Sequence, residues 1–151
     1  MLKHLLVLFL LVSACVTIHG LGMMLGLRWL TGVWPSKEHS FTLPRVFWIL
    51  IRVVFGLLLL HLLQISVWAA AYHVKGCFPS FDIAFYYSAT SYSTVGYGDV
   101  IPPAPWRVFG AIEAVTGVLM FGWSTGVLFS IVNHLQRHFL KDPGDLPIDS
   151  A

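Results

Sequence analysis

Three long stretches with almost no charge, each able to cross a lipid bilayer as a helix, constrain what this chain can fold into. The stretches are 5–27, 53–72 and 108–136, and the only Asp, Glu, Lys or Arg residue in them is Glu113. A transmembrane helix needs about 20 consecutive apolar residues. Only 11% of the residues are charged, against about a quarter in soluble domains. We therefore expect an all-α membrane protein with three transmembrane helices.

A fourth uncharged stretch, 83–98, lies between the second and third apolar stretches and is too short to cross the bilayer. It is rich in Tyr, Ser, Thr and Gly, which lipid would not tolerate. Irregular backbone at membrane depth survives only where it is buried in protein or lines water. The pattern therefore predicts a re-entrant segment.

Basic residues predict how the chain is oriented in the membrane. The segment between the first two apolar stretches carries several basic residues and a single acid, Glu38, whereas 73–107 carries two basic and two acidic residues. Segments rich in Lys and Arg stay in the cytoplasm. We therefore expect a cytoplasmic linker over 28–45, a short cytoplasmic tail over 136–151, and an N-terminus and re-entrant segment on the outer side. The basic residues of the first segment are Arg28, Lys37, Arg45 and Arg52.

The first 27 residues allow two interpretations. Lys3, followed by an apolar run to Cys15, resembles a bacterial lipoprotein signal with Cys15 as the lipidated residue. The apolar run continues past Cys15, and cleavage would leave the basic linker outside, so a retained transmembrane helix over 1–27 is favoured. Gly22 and Gly26, at Gly-x-x-x-Gly spacing, would let this helix pack closely on a neighbour, although such spacing also arises by chance.

The run Thr94-Val95-Gly96-Tyr97-Gly98 has the pattern that a carbonyl-lined ion filter requires. A pore selective for K+ replaces the water around the ion with rings of backbone carbonyls, one strand from each chain. Successive carbonyls point at one axis only if alternate residues adopt conformations that glycine reaches freely. Gly96 and Gly98 alternate as required, Thr94 can add a hydroxyl ligand, and Val95 and Tyr97 are expected to pack the strand from behind.

The stretch 86–102, YYSATSYSTVGYGDVIP, resembles the pore loop and filter of the potassium channel superfamily. The resemblance covers about 46–135. Within the superfamily, this part of the chain is similar in particular to small prokaryotic channels with one pore loop per subunit. It implies a homotetramer in the inner membrane of a prokaryote, with K+ as the permeant ion and no other metal. It also implies a pore domain built from an outer helix over 46–72, a pore helix over 80–92, a filter over 94–99 and an inner helix over 106–135.

The resemblance also assigns roles around the filter. Tyr86 and Tyr87 occupy the positions whose aromatic rings brace the filter through Tyr97, although ordinary interface aromatics would look the same. Asp99 is the expected anchor at the outer mouth. Many members carry a glutamate where this chain has Thr90. A Thr90–Asp99 contact would be weaker than a shared-proton carboxyl pair, so the inactivation behaviour of the family cannot be carried over.

The third apolar stretch is expected to line a cavity below the filter. Gly117 falls where related channels bend, but helix packing alone also recruits glycine. Glu113 is expected to hydrogen-bond the back of the pore helix or filter, in preference to sensing pH. A stripe of helical period would place polar residues towards cavity water and apolar residues where they close the pore by dewetting. The stripe contains Phe121, Ser124 or Thr125, Leu128 or Phe129, and Val132.

Other polar residues have simpler interpretations. His61 and Gln64, at i, i+3 spacing, are expected to make interhelical hydrogen bonds. His134 and His138, at i, i+4 spacing, would allow a metal site, but a solvated helix end is favoured. Cys77 is expected to be a free thiol rather than a cross-link between subunits.

Several function classes are disfavoured. No stretch repeats Arg or Lys at every third position, so no voltage sensor is expected, and leak-like conduction is the default. No nucleophile–base pair, metal triad or phosphate-binding motif indicates an enzyme, and the scattered basic residues argue against nucleic-acid binding. The alternatives left open are a non-conducting subunit of a heteromeric channel, and a membrane anchor or lipoprotein-like structural protein.

Overall fold

The computed structural model describes residues 2–33 and 43–139, and nearly all of them lie in helices. Three of the helices are long and apolar enough to cross a membrane. A shorter helix lies between the second and third of these, and no strand occurs in the described ranges. The expectation of an all-α membrane fold with three membrane-spanning helices is confirmed, and a short helix occupies the segment expected to be re-entrant. The helices are α1 (Leu2–Val33), α2 (Leu43–Val74), α3 (Phe81–Tyr92) and α4 (Arg107–Phe139), with a 3-10 turn at Ala104–Trp106.

The three long helices run beyond the apolar stretches that predict them. α1 and α2 each contain 32 residues, or about 48 Å at 1.5 Å per residue, whereas the hydrocarbon core is about 30 Å thick. They are therefore longer than a span of the hydrocarbon core requires. α1 and α2 both enter the expected linker over 28–45, whose residues 34–42 lie outside the described part of the chain. So do residues 140–151 of the expected tail.

α3 is too short to cross the bilayer, because its 12 residues span about 18 Å. Ser80 has an extended backbone and its Oγ accepts a hydrogen bond from the Ile83 N–H at 3.4 Å, which caps the first turn. Asp82 places a negative charge in that turn, where it interacts favourably with the positive end of the helix dipole. At the other end, the Ser93 N–H donates to the Ala89 carbonyl at 3.1 Å, and the chain leaves the helix there.

α3 is held between α2 and α4 by two close approaches of α4. A Cβ added at Gly110 would lie 2.0 Å from Tyr87 Oη, and one added at Gly117 would lie 2.0 Å from the Tyr92 carbonyl oxygen. Only glycine lets the two helices approach so closely. α4 continues without interruption through Gly117. The main buried cluster surrounds this contact and includes Trp68, Tyr72, Tyr92, Phe109 and Met120.

α1 packs against α2 and α4. Cys15 is fully buried in the main cluster. Of the two spaced glycines, only Gly22 makes a close approach, because a Cβ there would lie 2.2 Å from a methyl carbon of Leu60. No atom lies within 4 Å of a Cβ built on Gly26. The helix that precedes the expected pore domain is therefore part of the same packed bundle.

Candidate functional site

The backbone that follows α3 alternates in hand. Thr94, Gly96 and Gly98 have φ angles of 62°, 52° and 76°. Thr94 is the only non-glycine residue with a positive φ in the described part of the chain. A β-branched residue is a genuine outlier there, at a cost of about 1–3 kcal/mol. Left-handed residues at every second position turn alternate peptide units over, which a strand of aligned carbonyls requires.

Two hydrogen bonds tie residues 94–98, which we call the strand although they pair with no other β-strand among the described residues, to the last turn of α3. The Thr94 N–H donates to the Ser91 carbonyl at 2.9 Å, and the Gly96 N–H donates to the Thr90 carbonyl at 3.0 Å. The glycine spacing predicts left-handed glycines but not a left-handed threonine. Nothing in the composition of the segment indicates it, and only the alternation itself could have suggested it.

The two large side chains of the strand are exposed in the single chain. Val95 is 53% exposed and Tyr97 is 73% exposed. The expectation that they pack the strand from behind is therefore not met by contacts within one chain. Any such packing needs atoms from another molecule.

Asp99 is hydrogen-bonded by Tyr86 and not by Thr90. Tyr86 Oη donates to Asp99 Oδ2 at 2.8 Å, and Asp99 Oδ1 accepts from the Val100 N–H at 3.1 Å. The acceptor carboxylate raises the pKa of Tyr86. The Thr90 hydroxyl donates instead to the Tyr87 carbonyl at 2.9 Å, so its one proton is not available to Asp99. The departure at position 90 is thus compensated by a tyrosine.

Tyr87 packs against aromatic rings of α2 and of the segment before α3. Its ring lies 5.2 Å from that of Tyr72 and 5.0 Å from that of Phe78, centroid to centroid. Within one chain it braces α3 against α2 and α4, and the expected contact with Tyr97 is not made there. A cavity of about 260 Å³ separates α3 from the chain between Gly96 and Arg107.

Glu113 lies behind α3 and is fully buried. Tyr72 Oη of α2 donates to Glu113 Oε2 at 2.9 Å, and Ser88 Oγ of α3 is hydrogen-bonded to Glu113 Oε1. Both partners lie at the back of α3, and neither belongs to 94–99. The carboxyl group therefore joins α2, α3 and α4.

The expected stripe on α4 is divided by the structure. Thr125 and Phe129 are exposed and Phe121 is 37% exposed, so these residues remain free to line a cavity. Ser124 is 5% exposed and hydrogen-bonds α1 and α2. The placement of Ser124 towards a cavity is wrong, because adjacent helical residues point about 100° apart. Gly117 serves the close contact with Tyr92, and its role as a hinge stays a prediction.

His19 and Tyr92, neither of which was singled out from the sequence, complete a buried cluster of polar side chains. His61 and Gln64, expected to make interhelical bonds, contact Tyr92 of α3, and Gln64 also contacts His19 of α1. A lone histidine in an apolar span is a candidate by default, and that rule would have identified His19. Tyr92 carries no comparable signal.

The remaining polar residues outside this cluster include the expected thiol and histidine pair. Cys77 is a free thiol whose burial raises its pKa. The side chain of His138 lies outside the described residues. In the ranges that the structure describes, no three His, Cys, Asp or Glu side chains are grouped as a metal would require.

Comparison with known proteins supplies the family. A family model described as an ion channel matches residues 46–134, more than half of the chain. Neither curated proteins nor solved structures give a match. The matched residues include most of α2, all of α3, the strand over 94–98 and α4 as far as His134. The chain is therefore an integral membrane protein that belongs to the ion-channel family of the potassium-channel type.

Proposed function

We propose that this chain is one subunit of a homotetramer that conducts K+ passively and selectively through the carbonyls of residues 94–98. The observation that carries the proposal is the alternation of left-handed residues at Thr94, Gly96 and Gly98. A flexible glycine-rich turn would not need a threonine in that region. A strand that presents successive carbonyls to one axis does need it.

The exposed side chains of the strand support a tetramer. One pore loop supplies a quarter of a carbonyl ring, so four copies around a four-fold axis complete it. Val95 and Tyr97, exposed in one chain, would then be covered by neighbouring subunits. The Thr94 hydroxyl would add a ligand at the inner end of the filter.

The surroundings of the strand suit a cation. The C-terminal end of α3 carries a partial negative charge of about half a unit, and four such ends would meet below the filter. Asp99 would attract cations at the outer mouth. Thr125 would face cavity water, and Phe121 and Phe129 would narrow the pore below it.

The basic linker favours an orientation in which the N-terminus and the filter mouth face outward. In that orientation the short tail is cytoplasmic. The inner membrane of a prokaryote is the proposed location, by resemblance to the small channels with one pore loop. The chemistry of the site is conduction and not catalysis.

The test is a comparison of K+ and Na+ flux through purified protein in liposomes. We expect selective K+ flux from the native chain and its loss in Gly96→Ala, since φ at this position is 52°. The matched control is Gly56→Ala in α2, where a Cβ meets nothing within 4 Å. Equal K+ and Na+ permeability of the native chain would refute selectivity. Absence of flux from a folded tetramer would favour a non-conducting subunit or a membrane anchor.

A further inference from the structure

Five polar side chains from all four helices meet inside the apolar bundle, and we call them the polar ring. None of them is more than 7% exposed. They are His19 of α1, His61 and Gln64 of α2, Tyr92 of α3 and Ser124 of α4.

The hydrogen bonds among these side chains form a closed circuit. Gln64 Nε2 lies 2.9 Å from His19 Nδ1, and His19 Nε2 lies 3.3 Å from Ser124 Oγ. Ser124 Oγ lies 3.1 Å from His61 Nε2, and His61 Nδ1 lies 3.2 Å from Tyr92 Oη. Tyr92 Oη donates to Gln64 Oε1 at 2.9 Å, which returns to the starting residue.

The direction of the circuit is determined by Gln64. Its Nε2 also donates to the Leu60 carbonyl at 3.2 Å, so a flipped amide would set two acceptor oxygens against each other. Tyr92 Oη must therefore donate its one proton to Gln64 Oε1. Because that proton is used, Tyr92 Oη can only accept from His61, whose Nδ1 carries the N–H.

The remaining donors follow from this direction. His61 Nε2 has no proton and accepts from the Ser124 hydroxyl. The Ser124 oxygen in turn accepts from His19 Nε2–H, and His19 Nδ1 accepts from Gln64. Each imidazole thus carries one N–H, and each proton of the ring has one acceptor.

Such a ring acts as a unit. Loss of one member removes one hydrogen bond from each of its two neighbours, in an interior where an unsatisfied polar atom is costly. Aromatic rings shield it, because Phe121 lies 4.5 Å from His61 and Trp123 lies 5.3 Å from His19, centroid to centroid. A disturbance at His19 is therefore expected to be felt at the far side of the ring.

The far side of the ring is the last turn of α3. Tyr92 belongs to the turn whose carbonyls, at Thr90 and Ser91, accept from the amides of Gly96 and Thr94. The ring holds the Tyr92 side chain, while Gly117 of α4 lies against its carbonyl. The position of this turn determines where the strand over 94–98 begins.

We propose that α1, which lies outside the family match at 46–134, is a working part of the pore. His19 is a positioning residue that acts through the polar ring on Tyr92 and thereby holds the inner end of the filter strand. The proposal rests on the proposed function only in calling that strand a filter.

The experiment is a double-mutant cycle with His19→Leu and Tyr92→Phe in the full chain in liposomes. The readout is hydrogen exchange of the Thr94 and Gly96 amides. Each single substitution is expected to speed that exchange about tenfold, the effect of one lost buried hydrogen bond. The two residues do not hydrogen-bond each other, yet both open the same ring, so the double variant should exchange little faster than either single variant.

The matched control is Ser66→Ala in α2, whose hydroxyl donates to Leu62 of its own helix at 2.8 Å and is exposed. It should leave the two amides unchanged. If His19→Leu does not fold, Ser124→Ala replaces it in the cycle with the same expectation, because it removes a single oxygen from the ring.

Three results would overturn the proposal. They are unchanged exchange at Thr94 and Gly96 in His19→Leu, strictly multiplicative effects in the double variant, and equal acceleration along all four helices, which would indicate a general structural role. K+ flux is a separate readout and should fall in His19→Leu but not in Ser66→Ala. If the native chain carries no K+ flux, the proposed function fails, while the exchange data still decide on the ring.

Discussion

The two sides of α3 differ in how completely one chain buries them and supplies their hydrogen-bond partners. At the back, Glu113 and the polar ring are buried, and their hydrogen bonds are made by α1, α2 and α4. At the front, the strand over 94–98 is exposed and Tyr97 has 73% of its surface open. The contacts at the back are therefore complete within one chain, whereas the front is left open and, under the proposed function, would be covered by neighbouring subunits. Substitutions at the back should mainly lower stability, and substitutions at the front should mainly alter conduction.

The largest effect is expected where α4 touches α3. In Gly117→Ala the new Cβ would lie 2.0 Å from the Tyr92 carbonyl oxygen, so the helices must separate. Overpacking typically costs about 1–3 kcal/mol and occasionally more, and the upper end is expected here because a backbone oxygen cannot rotate away as a flexible side chain can. Thermal unfolding in detergent measures it. The control is Gly122→Ala in the same helix, where the Cβ meets nothing within 4 Å, and the Tm should hold or rise. A native Tm for Gly117→Ala would show that α3 and α4 are not held rigidly together at this contact.

A somewhat smaller loss is expected from Glu113→Leu. The change leaves the hydroxyl of Tyr72 without its acceptor and removes a partner of Ser88, at a cost of about 1–3 kcal/mol. Glu113→Gln is the matched variant, because its amide oxygen can still accept from Tyr72 and its N–H can donate to Ser88. Urea or thermal unfolding should rank native, Gln and Leu in descending stability. Equal stability of the Gln and Leu variants would contradict this account of the back of α3.

The smallest effect on the fold is expected at the front, in Tyr86→Phe. The Asp99 carboxylate accepts from the phenol and raises the pKa of Tyr86 above its ordinary value of about 10. The contribution of this bond to stability is present below the unfolded pKa and is lost as pH rises through the folded one. The absorbance of ionised tyrosine should therefore appear at higher pH in the native chain than in Asp99→Asn.

The Tyr86 variant also tests the comparison between the two faces. Tyr86→Phe should leave the Tm nearly native and alter K+ flux, since the hydroxyl anchors only the mouth of the strand. A large loss of stability in this variant would break the distinction between front and back. Identical phenol titration in the native chain and in Asp99→Asn would show that the carboxylate of Asp99 does not accept a hydrogen bond from Tyr86.

Much of the fold follows from local sequence. Spans of about 20 apolar residues and a short uncharged stretch between them predict the three long helices and α3, because those features depend only on each segment and the bilayer. The sequence did not predict correctly which face of α4 packs against the other helices. Residues 124 and 125 are both polar and adjacent, and the sequence does not say which one turns towards α1.

Other features depended on partners far apart in the chain. Thr90 is close enough in sequence to Asp99 to suggest a contact, but the helix turns its hydroxyl to Tyr87 and leaves Asp99 to Tyr86. His19 acquires a role only because α1 packs beside α2 and α4. Such pairings depend on the relative positions of whole helices, which no segment specifies alone.

Local sequence is enough to predict that this chain lies in a membrane, that the helix between its second and third spans is too short to cross, and that glycines occupy alternate positions in the strand beyond α3. These properties are local, since they depend on apolar length and on the freedom of φ at single residues. Three further features appear only in the folded chain: the left-handed φ of Thr94, the contacts of Glu113 with Ser88 and Tyr72, and the polar ring that joins α1 to Tyr92. Those features depend on hydrogen-bond partners that are brought together only when the helices pack.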